Sequence, residues 1–208
     1  MDIGIIGSGK IGGTAAALFT RTEHRVVVGN SRGPASLASL VRELGPQARA
    51  STVQDACIFG EVVLVAIPYG KYQTLPAERL EGKIVVDAMN YYPQRDGQIE
   101  LGDLTSTELL AQFLGGARVV KAFNTMFYQT LATRGQPGTP LEDRLALFVA
   151  GDDAKAKDVV SRLIEQIGFA PIDTGTHHHG GRLQQPGSPI YNRPMTAREA
   201  WTVLAGLR

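Results

Sequence analysis

Asp2-Ile3-Gly4-Ile5-Ile6-Gly7-Ser8-Gly9-Lys10-Ile11-Gly12 is the stretch that decides the fold. A short apolar run, residues 3–6, leads directly into Gly-x-Gly-x-x-Gly. The motif then opens an Ala-rich stretch in which Ile11, Ala15, Leu18 and Phe19 recur at helical spacing. Strand, glycine turn and helix in that order give the pattern its meaning. Gly7 permits the tight turn, Gly9 lets the backbone approach a pyrophosphate, and Gly12 lets the helix pack close to the strand. The helix N-terminus offers unpaired N–H groups and the positive end of a dipole, both suited to phosphate. The reading is a dinucleotide site; the plain competitor is a glycine turn kept only for helix packing.

Working outward, apolar β-branched runs recur at residues 25–28, 62–67, 84–86 and 118–120, with helix-like stretches such as Leu37, Leu40, Val41 and Leu44 between them. Runs without polar alternation predict strands covered on both faces. Strand and helix alternate, so the expected fold class is α/β, a doubly wound parallel sheet of the Rossmann NAD(P)-binding type with a small C-terminal extension. A Gly/Pro-rich stretch at 135–140 reads as a boundary. A strand at 145–149, a helix at 154–167 and a strand at 169–172 then continue the sheet, and a last helix is expected over about 196–207. The division is residues 1–125 for the nucleotide-binding domain and 126–208 for the sheet extension with an acceptor-side and oligomerisation segment. Residues 182–195, with Pro186, Pro189 and Pro194, are too irregular to build a core of their own. They are expected to drape over the nucleotide domain or a second subunit, and a homodimer is the expected assembly.

Composition bounds the function. The chain has 208 residues, 43% hydrophobic and 20% charged, which excludes disordered and fibrous classes. A net charge of +1 offers no global field for nucleic acid or an anionic membrane. Cys57 stands alone and forms no internal disulfide, the N-terminus lacks a signal peptide's basic start, and no long apolar span occurs. A cytoplasmic protein is expected. Residues 174–208 are locally basic, with Arg182, Arg193, Arg198 and Arg208 against Glu199. That reads as a solvated arm or subunit contact, with docking of an anionic ligand as the functional alternative.

Cofactor choice is read after the second strand, where an NAD site places Asp or Glu on the ribose hydroxyls. This chain has Val28-Gly29-Asn30-Ser31-Arg32-Gly33 there, with no carboxylate. Arg32 suits a 2′-phosphate through its guanidinium fork, Ser31 adds a hydroxyl and Asn30 reaches the ribose, so NADP(H) is favoured over NAD. The competing reading is that Ser31 caps the next helix and Arg32 is solvated. Ligands lie outside the carboxyl ends of such strands, which gathers residues 7–12, 30–32, 67–69, 88–91 and 122–124 around one crevice. Ile67 and Pro68 suit the face of a nicotinamide. Asn90 and Asn124 carry amides for a carboxamide or second substrate, with turn formation equally able to explain them. Tyr69, Tyr91 and Lys121 lie near strand ends but form no Tyr–Lys pair at helical spacing, so no catalytic side chain is assigned. His177, His178 and His179 invite a metal reading. Neighbouring residues of an extended chain point to alternate sides, and no Cys or clustered carboxylate adjoins them, so they are read as polar loop residues.

GIIGSGKIGGT (4–14), VGNSRGP (28–34), VAIPYG (65–70), DAMNYYPQRDG (87–97) and KAFNT (121–125) follow one another in this order. With them the chain resembles the NADPH-dependent reductases of the deazaflavin coenzyme (F-420):NADP oxidoreductase family. The resemblance implies that Gly7, Ser8, Gly9, Lys10 and Ile11 hold the pyrophosphate region. It likewise assigns Ser31 and Arg32 to the 2′-phosphate, and Ile67, Pro68 and Asn90 to the nicotinamide end. It implies hydride transfer between NADP(H) and a deazaflavin, with the tail, His177-His178-His179-Gly180-Gly181, flanking the second ligand. Two other functions compete. One is an NADPH-binding sensor without turnover, separable by turnover with any acceptor. The other is a carbonyl or imine reductase, disfavoured because too few residues follow Asn124 for a large helical domain.

Overall fold

The computed structural model describes residues 1–207. Eight strands form one sheet: β1 Asp2–Ile6, β2 Arg25–Gly29, β3 Ala48–Ser51, β4 Val62–Val65, β5 Ile84–Asp87, β6 Arg118–Lys121, β7 Ala146–Ala150 and β8 Ala170–Gly175. The helices are α1 Lys10–Arg21, α2 Ala38–Leu44, α3 Val53–Phe59, α4 Pro93–Asp96, α5 Ser106–Leu114, α6 Tyr128–Thr133, α7 Ala154–Gln166, α8 His179–Leu183 and α9 Ala197–Ala205. Strand order is β3-β2-β1-β4-β5-β6-β7-β8. The pairs from β3 through to β6 are parallel. β7 and β8 are parallel to each other and join β6 antiparallel, meeting it at Lys121 and Ala150. The doubly wound α/β class read from sequence is the observed one.

Strand β3 is the element the sequence does not announce. Ala48-Arg49-Ala50-Ser51 lacks β-branched residues, and as the edge strand it buries only Ser51, so no hydrophobic run marks it. Other bounds shift. β4 ends at Val65, leaving Ile67 in the following turn, and β8 runs three residues beyond the expected strand. The second helix opens as a 3₁₀ turn, Pro34–Leu37. Thr196 is the N-cap of α9, in a capping box with Glu199.

Alternate residues of each strand feed opposite layers. Ile5, Leu64 and Val120 face one cluster with Leu18, Phe19, Leu147 and Ile164. Ile6, Val63 and Val119 face another with Tyr69, Tyr72 and Leu110. A third cluster joins Phe148 and Ile172 to Ile190, Met195 and Leu204. The proline-rich arm therefore does contribute to a core, by draping over its own chain: Ile190 and Met195 pack there, and the Asn192 N–H donates to Thr125 O at 2.9 Å. Among the described residues no helix is long and apolar enough to cross a membrane.

Candidate functional site

The chain runs outward to β3 on one side of β1 and returns through β4 on the other, so the loops after these two strands part and leave a crevice between them. Its volume is about 730 Å³. Residues 6–9 form its floor, residues 30–33 and 52–54 one wall, and residues 66–68 with Lys71, Thr74 and Leu75 the other.

The three motif glycines have separable roles. Gly7 has φ +102°, a conformation side chains resist, and a Cβ there would overlap the Ala66 carbonyl. A Cβ on Gly12 would overlap the Gly7 carbonyl oxygen. Gly9 is different: a Cβ there would meet nothing within 4 Å. Gly9 is also the N-cap of α1, with no side-chain cap and no acidic residue in the first turn. The first N–H groups of α1 are thus uncapped beside an open cradle, as an anionic pyrophosphate requires.

The turn after β2 is braced by Asn30. Its Oδ1 accepts from Arg32 N at 2.9 Å, while its Nδ2 donates to Ser8 Oγ at 2.9 Å and to Ser36 Oγ at 3.0 Å. Asn30 therefore ties the glycine loop to the turn and fixes where Arg32 leaves the backbone. The Arg32 guanidinium has no hydrogen-bond or ion-pair partner among the described residues. Among the described residues the only charged side chains lining the crevice are Arg32 and Lys71, and no carboxylate lines it.

Gly7, Ser8, Gly9, Asn30, Ser31, Arg32, Ile67 and Pro68 all line this crevice. Lys10, Ile11 and Gly12 do not. The Lys10 ammonium lies 4.9 Å from the centre of the Tyr128 ring, in a neighbouring hollow that Ser8 and Gly9 also line, and Ile11 packs against the core. The Asn90 amide donates to Asn124 O at 2.9 Å and to Tyr191 Oη at 3.3 Å, and Asn124 Nδ2 reaches Asn90 Oδ1 at 3.0 Å. The two amides fasten the β5 and β6 ends to the C-terminal arm.

The three side chains near strand ends that the sequence offers as proton donors, Tyr69, Tyr91 and Lys121, are engaged elsewhere. Tyr69 is fully buried and donates to Ser106 O at 2.6 Å, and burial pushes its phenol far above the usual range. Tyr91 Oη bridges Gly97 O and Ile99 N. Lys121 pairs with Asp87 at 3.0 Å inside the core. The histidines also separate. His177 is buried, with Nε2 2.8 Å from Val119 O and Nδ1 2.8 Å from Asp152. His178 lies 3.2 Å from Glu108, and His179 is exposed. A Cβ on Gly180 would meet Thr174 Oγ1 at 2.6 Å, so this glycine lets α8 sit tight on β8. Among the described residues no three His, Cys, Asp or Glu gather to hold a metal.

A family model described as NADP oxidoreductase, coenzyme F420-dependent, matches residues 2–91, the part that carries the crevice. Hypothetical protein SMa0349 of Sinorhizobium meliloti is 36% identical, with a TM-score of 0.83 over 93% of this chain and 94% of that one. Over residues 2–91 this chain belongs to the coenzyme F-420-dependent NADP oxidoreductase family. A candidate F-420-dependent NADP reductase of Arthrobacter sp. FB24 is 25% identical, with a TM-score of 0.73 over all of this chain and 94% of that one. Metalloreductase STEAP3 of Rattus norvegicus is 32% identical over 84% of this chain. The chain spans about a third of the length of the curated relatives it matches, 34% for STEAP3. The family matched over these residues is one of NADP oxidoreductases.

Sequence reasoning missed residues 52–54, Lys71, Thr74 and Leu75. A signal existed for the first group. Thr52 Oγ1 accepts from Asp55 N at 3.1 Å, and a Thr three residues before an acidic one is an N-cap pattern that marks the end of a strand connection. The second group lies on a 3₁₀ turn whose period the helix and strand templates do not test.

Proposed function

We propose that this chain passes a hydride between NADP(H) and a flat acceptor in the cytoplasm, with the deazaflavin coenzyme F-420 as the leading acceptor. The observation that carries the nucleotide half is the open Gly9 cradle under uncapped α1 N–H groups, in a crevice whose charged side chains are both cations. NADPH, when bound, supplies the hydride. The protein's own groups bind and orient: α1 and residues 7–9 face the pyrophosphate, Arg32 and Ser31 the 2′-phosphate, and Ile67 with Pro68 present an apolar corner to the nicotinamide. The F-420 assignment draws on the family and on the proton inventory of the site. Reducing an ordinary carbonyl develops alkoxide charge and benefits from a positioned acid. Tyr69, Tyr91 and Lys121 all have other partners. A conjugated acceptor delocalises the charge, so holding two rings in near-attack geometry, roughly 3–3.5 Å apart, carries most of the work.

Arg32→Ala is expected to weaken NADPH by about 1.5–3 kcal/mol, the scale of a charge-assisted bond, and to leave NADH nearly unchanged. Calorimetric titration of both nucleotides checks this; equal losses would place Arg32 on a part the two share. Single-turnover mixing of NADPH with F-420 tests the acceptor. The expected result is stoichiometric deazaflavin reduction, with Tyr91→Phe within about tenfold of the parent. Tight NADPH binding without F-420 reduction would refute this acceptor, and a thousandfold loss in Tyr91→Phe would favour a carbonyl or imine substrate. We read the assembly as a homodimer; sedimentation showing only monomer at micromolar concentration would contradict it.

A further inference from the structure

Lys71 leaves the backbone in the 3₁₀ turn Tyr69–Thr74. Three residues complete one turn of such a helix, so residues three apart share a face. Tyr69 and Tyr72 take the inner face, both buried, with ring centres 5.1 Å apart. Lys71 and Thr74 share the other face, and both line the crevice. The turn has little freedom. Tyr69 Oη donates to Ser106 O at 2.6 Å, Lys71 N to Pro68 O at 3.0 Å, and Thr74 Oγ1 to Lys71 O at 2.7 Å. Gly70 lies so close to α4 that a Cβ would come within 2.6 Å of Asp96 O. Two buried tyrosines thus hold a lysine at a set point on the wall facing Arg32, and its ammonium has no acceptor among the described residues.

We propose that Lys71 is a second cation for the 2′-phosphate and, opposite Arg32, a determinant of the preference for NADP(H). The inference rests on the nucleotide reading given above. A phosphomonoester carries about −1.5 to −2 at pH 7, so one guanidinium leaves it under-neutralised. The pyrophosphate has the α1 N-terminus, whereas the 2′-phosphate has the Ser31 hydroxyl and, to balance its charge, only the cations of the wall turns. With no carboxylate in the lining, the field of Lys71 reaches the ligand uncancelled. A lysine suits this role as a mobile point charge, while Arg32 supplies the directional fork.

The test is calorimetric titration of the whole chain, parent and Lys71→Met, with NADPH, NADH, adenosine 2′,5′-bisphosphate and adenosine 5′-monophosphate. Lys71→Met is expected to weaken NADPH and the bisphosphate about tenfold, as removing one partly exposed charge-assisted bond does. NADH and the monophosphate should stay within about twofold, and Lys71→Arg should restore most of the affinity. The effect should shrink as salt rises, because exposed charges are screened within about 10 Å at 0.1 M. Equal losses for NADPH and NADH would put Lys71 on the pyrophosphate and overturn the proposal, as would no loss at all. If the parent itself fails to prefer NADPH over NADH, the NADP reading falls with it. A parent that prefers NADPH beside an unchanged Lys71→Met sinks the Lys71 assignment alone.

Discussion

Gly9→Val is expected to remove NADPH binding while leaving the protein folded. The Gly9 backbone, φ −73° and ψ −167°, is one that any residue adopts. A Cβ there meets nothing within 4 Å, so a branched side chain enters the empty cradle and not the packed core. The cost to the fold is that of a poorer N-cap, about 1 kcal/mol, or a fall of roughly 2–4 °C in Tm for a chain of this size. The cost to the ligand is much larger. Two isopropyl methyls stand where the pyrophosphate approaches α1, and each charge-assisted N–H bond they prevent is worth about 1.5–3 kcal/mol. Two such bonds amount to a hundredfold or more in affinity. Gly12→Ala is the control with the opposite signature. Its Cβ would overlap the Gly7 carbonyl, so α1 must move off β1 and the melting temperature should fall before any ligand is added. Fluorescence titration with NADPH beside a thermal melt separates the two. Should Gly9→Val bind NADPH within tenfold of the parent, the pyrophosphate does not lie on this loop.

The same contrast shows what the sequence makes legible. Gly7, Gly9 and Gly12 look alike as letters and are placed by their spacing alone, because one geometry demands them at that interval. Asn30-Ser31-Arg32 is readable for a similar reason: the absence of a carboxylate at a known position says something before any coordinates do. Asn90 and Asn124 show the limit. An amide is equally suited to a ligand and to a neighbouring chain, and only the path of residues 184–192 reveals that here both bind the arm. The three histidines are a further case. Their number suggests a metal, but His177 turns to β6 and the loop after β7, His178 to α5 and His179 to solvent, a tertiary outcome that no local pattern encodes. Lys71 is hidden by its element. Tyr69 and Tyr72 read as ordinary aromatics until the 3₁₀ period stacks them and turns the lysine outward.

Lys121 changes most between letter and structure, and with it the expected result of Lys121→Met. Read as a residue near a strand end, it is a candidate proton donor, and its replacement would be a kinetic probe. In the fold its side chain is 2% exposed and that of its partner Asp87 is fully buried. Nζ lies 3.0 Å from Asp87 Oδ2 and also donates to Met89 O; the carboxylate in turn accepts from Met89 N at 3.0 Å and Thr107 Oγ1 at 2.8 Å. The pair ties β5 to β6 and to α5. Lys121→Met leaves a carboxylate in the core without its counter-ion, an arrangement that costs about 3–5 kcal/mol. We therefore expect a large drop in the urea midpoint with little change in slope, and a chemical step within about tenfold of the parent in the folded fraction. The double variant Asp87→Asn with Lys121→Met tests the cause. It removes the stranded charge while keeping an oxygen for Met89 N, so it should be more stable than Lys121→Met alone. If the double variant is the weaker of the two, the buried charge is not what destabilises the single one. If Lys121→Met keeps its stability yet loses hydride transfer a thousandfold, Lys121 reaches the substrate in solution, and an acid-assisted carbonyl or imine reduction replaces the deazaflavin reading.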